Sequence, residues 1–152
     1  MSESILLDIN EGVATVTLNE PKVRNALTPA LRTAFREIMA DLEFNEAARC
    51  VVITGAGGHF MAGGDIRAMV DRLGLPEAER RQAILEGIHL LHLPLFAMRR
   101  MEKPVLASVR GAAAGFGLGL VAACDLAMAS DNAFFTLAYC HIGASPDGGS
   151  SY

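Results

Sequence analysis

The chain has 152 residues, 51% of them hydrophobic and 20% charged, with a formal net charge of −4. That length supports a packed core of about one domain, and the composition excludes disorder. The negative balance leaves no basic footprint for nucleic acid, although a local basic spot can still grip a phosphate.

The first residues, Met1-Ser2-Glu3-Ser4, are polar and acidic, so neither a signal peptide nor a transit peptide is expected. Ile5 to Asn10 and Val13 to Asn19 alternate apolar and polar residues around Glu11-Gly12, which predicts a hairpin. Thr28 can cap a helix that has Pro29 at its first position. Leu31, Phe35, Ile38, Met39 and Leu42 follow at helical spacing. Cys50 to Thr54 is a β-branched run and predicts a buried strand. A helix is expected from about Asp65, and another from Pro76 to about Arg100. Pro104 to Val109 reads as the next strand and Phe116 to Ala123 as a very apolar helix. Leu126–Ala129 and Ala133–Thr136 read as short strands around Asp131-Asn132. Strand and helix units alternate without a linker, which indicates an α/β fold.

The longest apolar run, Gly111 to Cys124, is short for a membrane span and rich in glycine. A buried helix is expected there and no membrane partner. Cys50, Cys124 and Cys140 are odd in number and lack paired metal spacing, which fits reduced thiols in a cytoplasmic setting and no metal site. Glu86, His89 and His92 fall at helical spacing but are few for a metal site, so a polar helix face is expected.

Two glycine-rich loops carry the chemical signal. Gly55-Ala56-Gly57-Gly58-His59-Phe60-Met61-Ala62-Gly63-Gly64-Asp65 follows one strand. Gly111-Ala112-Ala113-Ala114-Gly115-Phe116-Gly117-Leu118-Gly119 follows another. Glycine lets the backbone approach a ligand closely, and free N–H groups at a helix start favour negative charge. Two such loops aimed at one point can build an oxyanion hole. Close packing of small residues accounts for either loop taken alone. A dinucleotide site needs G-x-G-x-x-G opening a helix, and neither loop has that spacing.

Three motifs resemble one family. His59 to Ile66 resembles the F-x-A-G-x-D-[LI] motif of the crotonase (enoyl-CoA hydratase/isomerase) superfamily. Lys103-Pro104-Val105, Gly111 to Gly117 and Ala123-Cys124-Asp125-Leu126 resemble its K-P-x-x-A-x-x-x-G-x-x-x-G-x-G…C-D-[LI] segment. Asn19 to Leu27 resembles its N-x-P-x-x-x-N-A-[LMF] stretch. The likeness runs through the chain in order. It implies a crotonase-like spiral of ββα units (the ClpP/crotonase fold) over residues 1–152, with C-terminal helices expected beyond them. It also implies a homotrimer or dimer of trimers. A domain ending at Tyr152 is expected to expose core surface, and so to aggregate or to take a second segment.

The resemblance further implies an acyl-CoA thioester substrate, with coenzyme A as part of the substrate and no separate cofactor. The two amides that hold the thioester oxygen map onto Gly64 and Phe116. Lys22 and Arg24 would lie near the phosphates, against the plainer reading of a solvated surface pair. Ala26 and the Ala62, Asp65 and Ile66 region would lie near the adenine. Leu27, Gly115 and Tyr139 are also expected to bind substrate. Family hydratases use two glutamates, and the matching positions here are Gly119 and Tyr139. Glycine transfers no proton, and tyrosine with a pKa near 10 is a poor base at neutral pH. Asp147 aligns with an aspartate that some family isomerases use for proton transfer, while its plainer reading is an N-cap. The expected activity is therefore enoyl-CoA double-bond isomerisation. The alternatives are a hydratase or hydrolase with an unconventional acid/base, and a non-catalytic acyl-CoA-binding protein. His59, His141 and Cys140 lie near the loops, with no contact implied by sequence.

Overall fold

The computed structural model describes residues 4–150. Strands β1 (Ile5–Asn10) and β2 (Val13–Leu18) form the hairpin. Its two-residue turn places Glu11 at φ 51° and Gly12 at φ 86°, the left-handed pair that matches strand twist. Helix α1 (Pro29–Phe44) begins as the sequence predicts: the Thr28 hydroxyl accepts from the Leu31 amide at 3.1 Å and Pro29 takes the first position. Strand β3 (Cys50–Gly55), helix α2 (Ile66–Asp71), helix α3 (Glu77–Arg100) and strand β4 (Val105–Val109) follow. Then come β5 (Ala112–Ala114), α4 (Phe116–Ala123), β6 (Leu126–Ala129) and β7 (Phe134–Thr136).

The main sheet has the order β1-β2-β3-β4-β6, parallel throughout after the opening hairpin. Burial alternates along β2, β3 and β4, as the two-residue side-chain period requires. Val16, Leu18, Val51, Ile53, Val105 and Ala107 join Leu31, Phe35, Met39 and Leu42 of α1 in the core. The α1 helix also packs on α3. Lys103 closes its C-terminal end, donating from Nζ to the carbonyls of Leu42 at 2.6 Å and Asn45 at 2.7 Å.

One element departs from the sequence reading. Residues 112–114, taken as part of a loop, form β5 and pair in parallel with β7. Three alanines carry little strand propensity, so this strand exists because of its neighbours. Met61 bridges to Ala113 on one side, and Phe134 to Thr136 pair on the other. The strand of the hairpin read to Asn19 ends at Leu18, and β7 starts at Phe134 rather than Ala133.

Much apolar surface is left open. Every residue of β6 is exposed, with Leu126 at 63% and Met128 at 72%, and Phe134 of β7 and Phe96 of α3 are exposed as well. Among the described residues no helix is long and apolar enough to cross a membrane. The expectations placed on Met1, Ser2, Glu3 and Tyr152 lie outside the described residues.

Candidate active site

The first glycine loop is shaped by a buried asparagine. Asn25 is fully buried at φ 55°, a left-handed conformation that asparagine tolerates better than most residues. Its Nδ2 donates to the carbonyls of Ala56 (2.9 Å), His59 (2.8 Å) and Phe60 (3.2 Å), and its Oδ1 accepts from the Glu20 amide at 2.8 Å. The backbone of 24–27 then pairs with the loop: Ala62 donates to the Arg24 carbonyl at 2.9 Å, and Leu27 to the Gly63 carbonyl at 2.7 Å.

The second loop is stitched to the first through Met61. Its amide donates to Ala112 O at 3.0 Å, and its carbonyl accepts from the Ala114 amide at 2.9 Å. His59 contributes a further tie, its Nδ1 accepting from the Ala112 amide at 3.3 Å. The approach is close enough that a Cβ on Gly63, at φ 94°, would stand 2.7 Å from the Ala114 carbonyl. Only glycine fits there.

The stitch delivers two amides to one cavity. Gly64 and Phe116 both line a space of about 900 Å³. Neither amide donates to any group among the described residues. Phe116 is the first residue of α4, where a helix leaves its N–H without an internal acceptor. Leu27, Ala62, Asp65, Ile66, Gly115, Tyr139 and Asp147 line the same cavity. Lys22, Arg24 and Ala26 are not on its wall; the first two are exposed. The Asp65 carboxylate caps α2, accepting from the amides of Arg67 (3.0 Å) and Ala68 (3.4 Å).

Asp147 meets Tyr139. The Tyr139 hydroxyl donates to Oδ1 of Asp147, and Oδ2 has no partner among the described residues. The carboxylate caps no backbone amide there, so the N-cap reading of Asp147 is not what the geometry shows. Burial, and then the bond to Asp147, raise the Tyr139 pKa well above that of an ordinary phenol. Tyr139 is therefore a donor to the carboxylate throughout the neutral range.

Gly119 packs under this segment. A Cβ there would lie 3.1 Å from the Gly148 carbonyl, which would have to give by a few tenths of an ångström, and 3.6 Å from that of Asp147, an ordinary contact. His92, expected on a polar helix face, belongs to this site. It lines the cavity, and its Nε2 accepts from the Gly148 amide at 3.3 Å while its ring meets Phe96 edge-on at 6.2 Å. Its spacing along α3 signalled a helix face, but nothing in the sequence signalled that residues 147–148 fold onto that face. His141 also lines the cavity from an exposed position, and the exposed Cys140 does not line it. Among the described residues no three ligating side chains come together for a metal.

Comparison with known proteins agrees with this architecture. Residues 8–152 match the enoyl-CoA hydratase/isomerase family. A solved enoyl-CoA hydratase from Polaromonas sp. JS666 is 40% identical, covers 95% of this chain and 55% of its own, and superposes with a TM-score of 0.84. The 4-chlorobenzoyl coenzyme A dehalogenase-2 of Arthrobacter sp is 33% identical over 148 residues, 97% of this chain and 52% of that protein. The 1,2-epoxyphenylacetyl-CoA isomerase of Escherichia coli (strain K12) is 32% identical over 154 aligned positions, 100% of this chain and 57% of that protein. The chain thus spans about half the length of the curated relatives it matches. Its α/β architecture is the crotonase-like fold, and the chain belongs to the enoyl-CoA hydratase/isomerase family.

Proposed function

We propose that this protein binds an acyl-CoA thioester and moves a double bond within its acyl group. The carrying observation is that Asp147 shares one cavity with the unpartnered amides of Gly64 and Phe116. The amides receive the thioester oxygen as it gains enolate charge, and each such preorganised donor is worth roughly 3 kcal/mol of barrier. Oδ2 of Asp147 takes a proton from one carbon and returns it to another, so a single carboxylate serves both half-reactions. Hydration is disfavoured because Gly119 and Tyr139 supply no second carboxylate to hold a water. Relatives bearing isomerase and dehalogenase names support a CoA thioester site with variable chemistry.

A second reading, thioester binding without catalysis, is favoured by the Tyr139 bond, which engages one oxygen of Asp147. Product mass spectrometry from 3-enoyl-CoA and 2-enoyl-CoA in heavy water separates the possibilities. Isomerisation gives a product with no added water, heavier only by the deuterium it takes up at C2 or C4. Addition of one water to the 2-enoyl substrate means hydration, and no product despite measurable binding means a binding protein.

A further inference from the structure

The cavity has a second polar region. Arg32 of α1, Arg72 in the turn after α2 and Arg80 of α3 all line it, each half-buried. None is in an ion pair among the described residues, in contrast to Arg99 with Asp125 and Arg100 with Glu43. Arg80 reaches only the Leu73 carbonyl, at 3.4 Å. The two carboxylates on the cavity wall, Asp65 and Asp147, have the other partners already described. Three guanidinium groups without a carboxylate partner thus come from three separate elements around one space, and an anion entering it would meet no competing counter-charge. Their planar forks suit a carboxylate or a phosphate.

Helix α3 sets the scale. Arg80, Ile84, Ile88, Leu91 and His92 lie on the same cavity wall, and His92 binds the amide next to Asp147. At about 1.5 Å per residue, Arg80 and His92 stand roughly 18 Å apart along the axis. The α3 residues on the wall between them are apolar, and Arg32 reaches across to them, its Nη1 lying 3.4 Å from where a Cβ on Gly87 would stand. We propose that Arg32, Arg72 and Arg80 form an anion site that takes a carboxylate or phosphate of the thioester ligand, remote from Asp147. This rests on the thioester reading above. The anion has two sources: the far end of a carboxylate-terminated acyl chain, or the phosphates of coenzyme A.

The test is calorimetric binding of three saturated ligands: dodecanoyl-CoA, dodecanedioyl-CoA, and dodecanoyl-pantetheine, which carries neither phosphate nor carboxylate. Saturated chains need no turnover, so the result is independent of the isomerase reading. Arg72→Gln and Arg80→Gln are each expected to weaken a charged ligand about tenfold or more and to leave dodecanoyl-pantetheine unchanged, with Arg80→Lys recovering part of the loss. A loss confined to the diacid assigns the site to the acyl terminus. An equal loss for both CoA thioesters assigns it to phosphate. An equal loss for all three ligands, or no loss, overturns the site while leaving the thioester reading intact. Absence of binding by every ligand overturns both. Should a variant not fold, the wild-type protein serves: affinity for a charged ligand must fall with added salt more steeply than affinity for dodecanoyl-pantetheine, and parallel behaviour overturns the site.

Discussion

Tyr139 donates its phenolic hydrogen to Oδ1 of Asp147, leaving the other carboxylate oxygen without a partner among the described residues, on the wall of the space that Gly64 and Phe116 also line. The bond orients the carboxylate and keeps the phenol protonated. Asp147→Asn is expected to lower isomerase turnover by at least about 10²-fold with thioester affinity retained. Tyr139→Phe removes only the orienting bond, so kcat should fall by about tenfold at near-constant KM. Steady-state kinetics on both variants checks this, and unchanged turnover in Asp147→Asn would remove the carboxylate from the mechanism.

The oxyanion assignment concerns main-chain atoms, so it is tested through the backbone. Phe116 is the first residue of α4, a position where proline is tolerated but has no N–H to give. Phe116→Pro is expected to cost about 10²-fold in kcat beyond the control Phe116→Leu, which keeps the amide. Circular dichroism verifies that both variants fold. Equal rates for the pair would mean that this amide is not a donor.

Asn25 holds three loop carbonyls and does not itself line the cavity. Asn25→Ala leaves buried acceptors unpaired and puts alanine at a left-handed φ. A destabilisation of about 3 kcal/mol is expected in urea unfolding. Because the same loop carries Gly64, turnover of the folded fraction should fall too.

Gly119→Glu restores a carboxylate in the position that the hydratase resemblance calls for, yet hydratase activity is not expected from it. The new Cβ presses on the Gly148 carbonyl, so the expected outcome is a shifted backbone beside Asp147 and slower isomerisation. Water addition to 2-enoyl-CoA by this variant would show that the segment yields to a larger side chain.

Alkaline stability follows from a half-buried thiol. Burial, and then the neighbouring Asp125 charge, push Cys124 up to about 12 from its reference value of 9.0. Above pH 9 the unfolded chain releases this proton and the folded chain keeps it, so stability falls as pH rises. The loss continues through about pH 12. Thermal melts from pH 8 to 10.5 should show a steeper decline in the wild type than in Cys124→Ala. Iodoacetamide at pH 8 should label the exposed Cys140 ahead of Cys124.

The larger elements were legible because each carried a local cause. Thr28-Pro29 marked the start of α1, Glu11-Gly12 the hairpin turn, and Asp65 the cap of α2. The motif glycines and Asp147 were legible through the family resemblance. What was hidden depended on distant partners. Nothing within Ala112-Ala113-Ala114 specifies a strand until Met61 and Phe134–Thr136 flank it. His92 acquires its place only when Gly148 folds against α3, and the three arginines are scattered over almost fifty positions before the fold gathers them. Arg24 shows the converse: its side chain is exposed, while its carbonyl anchors the first loop by accepting from the Ala62 amide.

Met61 gives both its main-chain bonds to β5, so the two donor-bearing loops behave as one rigid clasp. The spacing between their amides cannot widen without tearing that pair. On the proposed acyl-CoA reading, accommodation of different acyl shapes falls, among the described residues, to 66–74, where neither α2 nor the turn after it buries a side chain. Substitutions in that stretch can retune substrate choice while the rate-enhancing part stays as it is. The clasp and the stretch beside it are thus separable parts, one fixed by main-chain bonds and the other open to change.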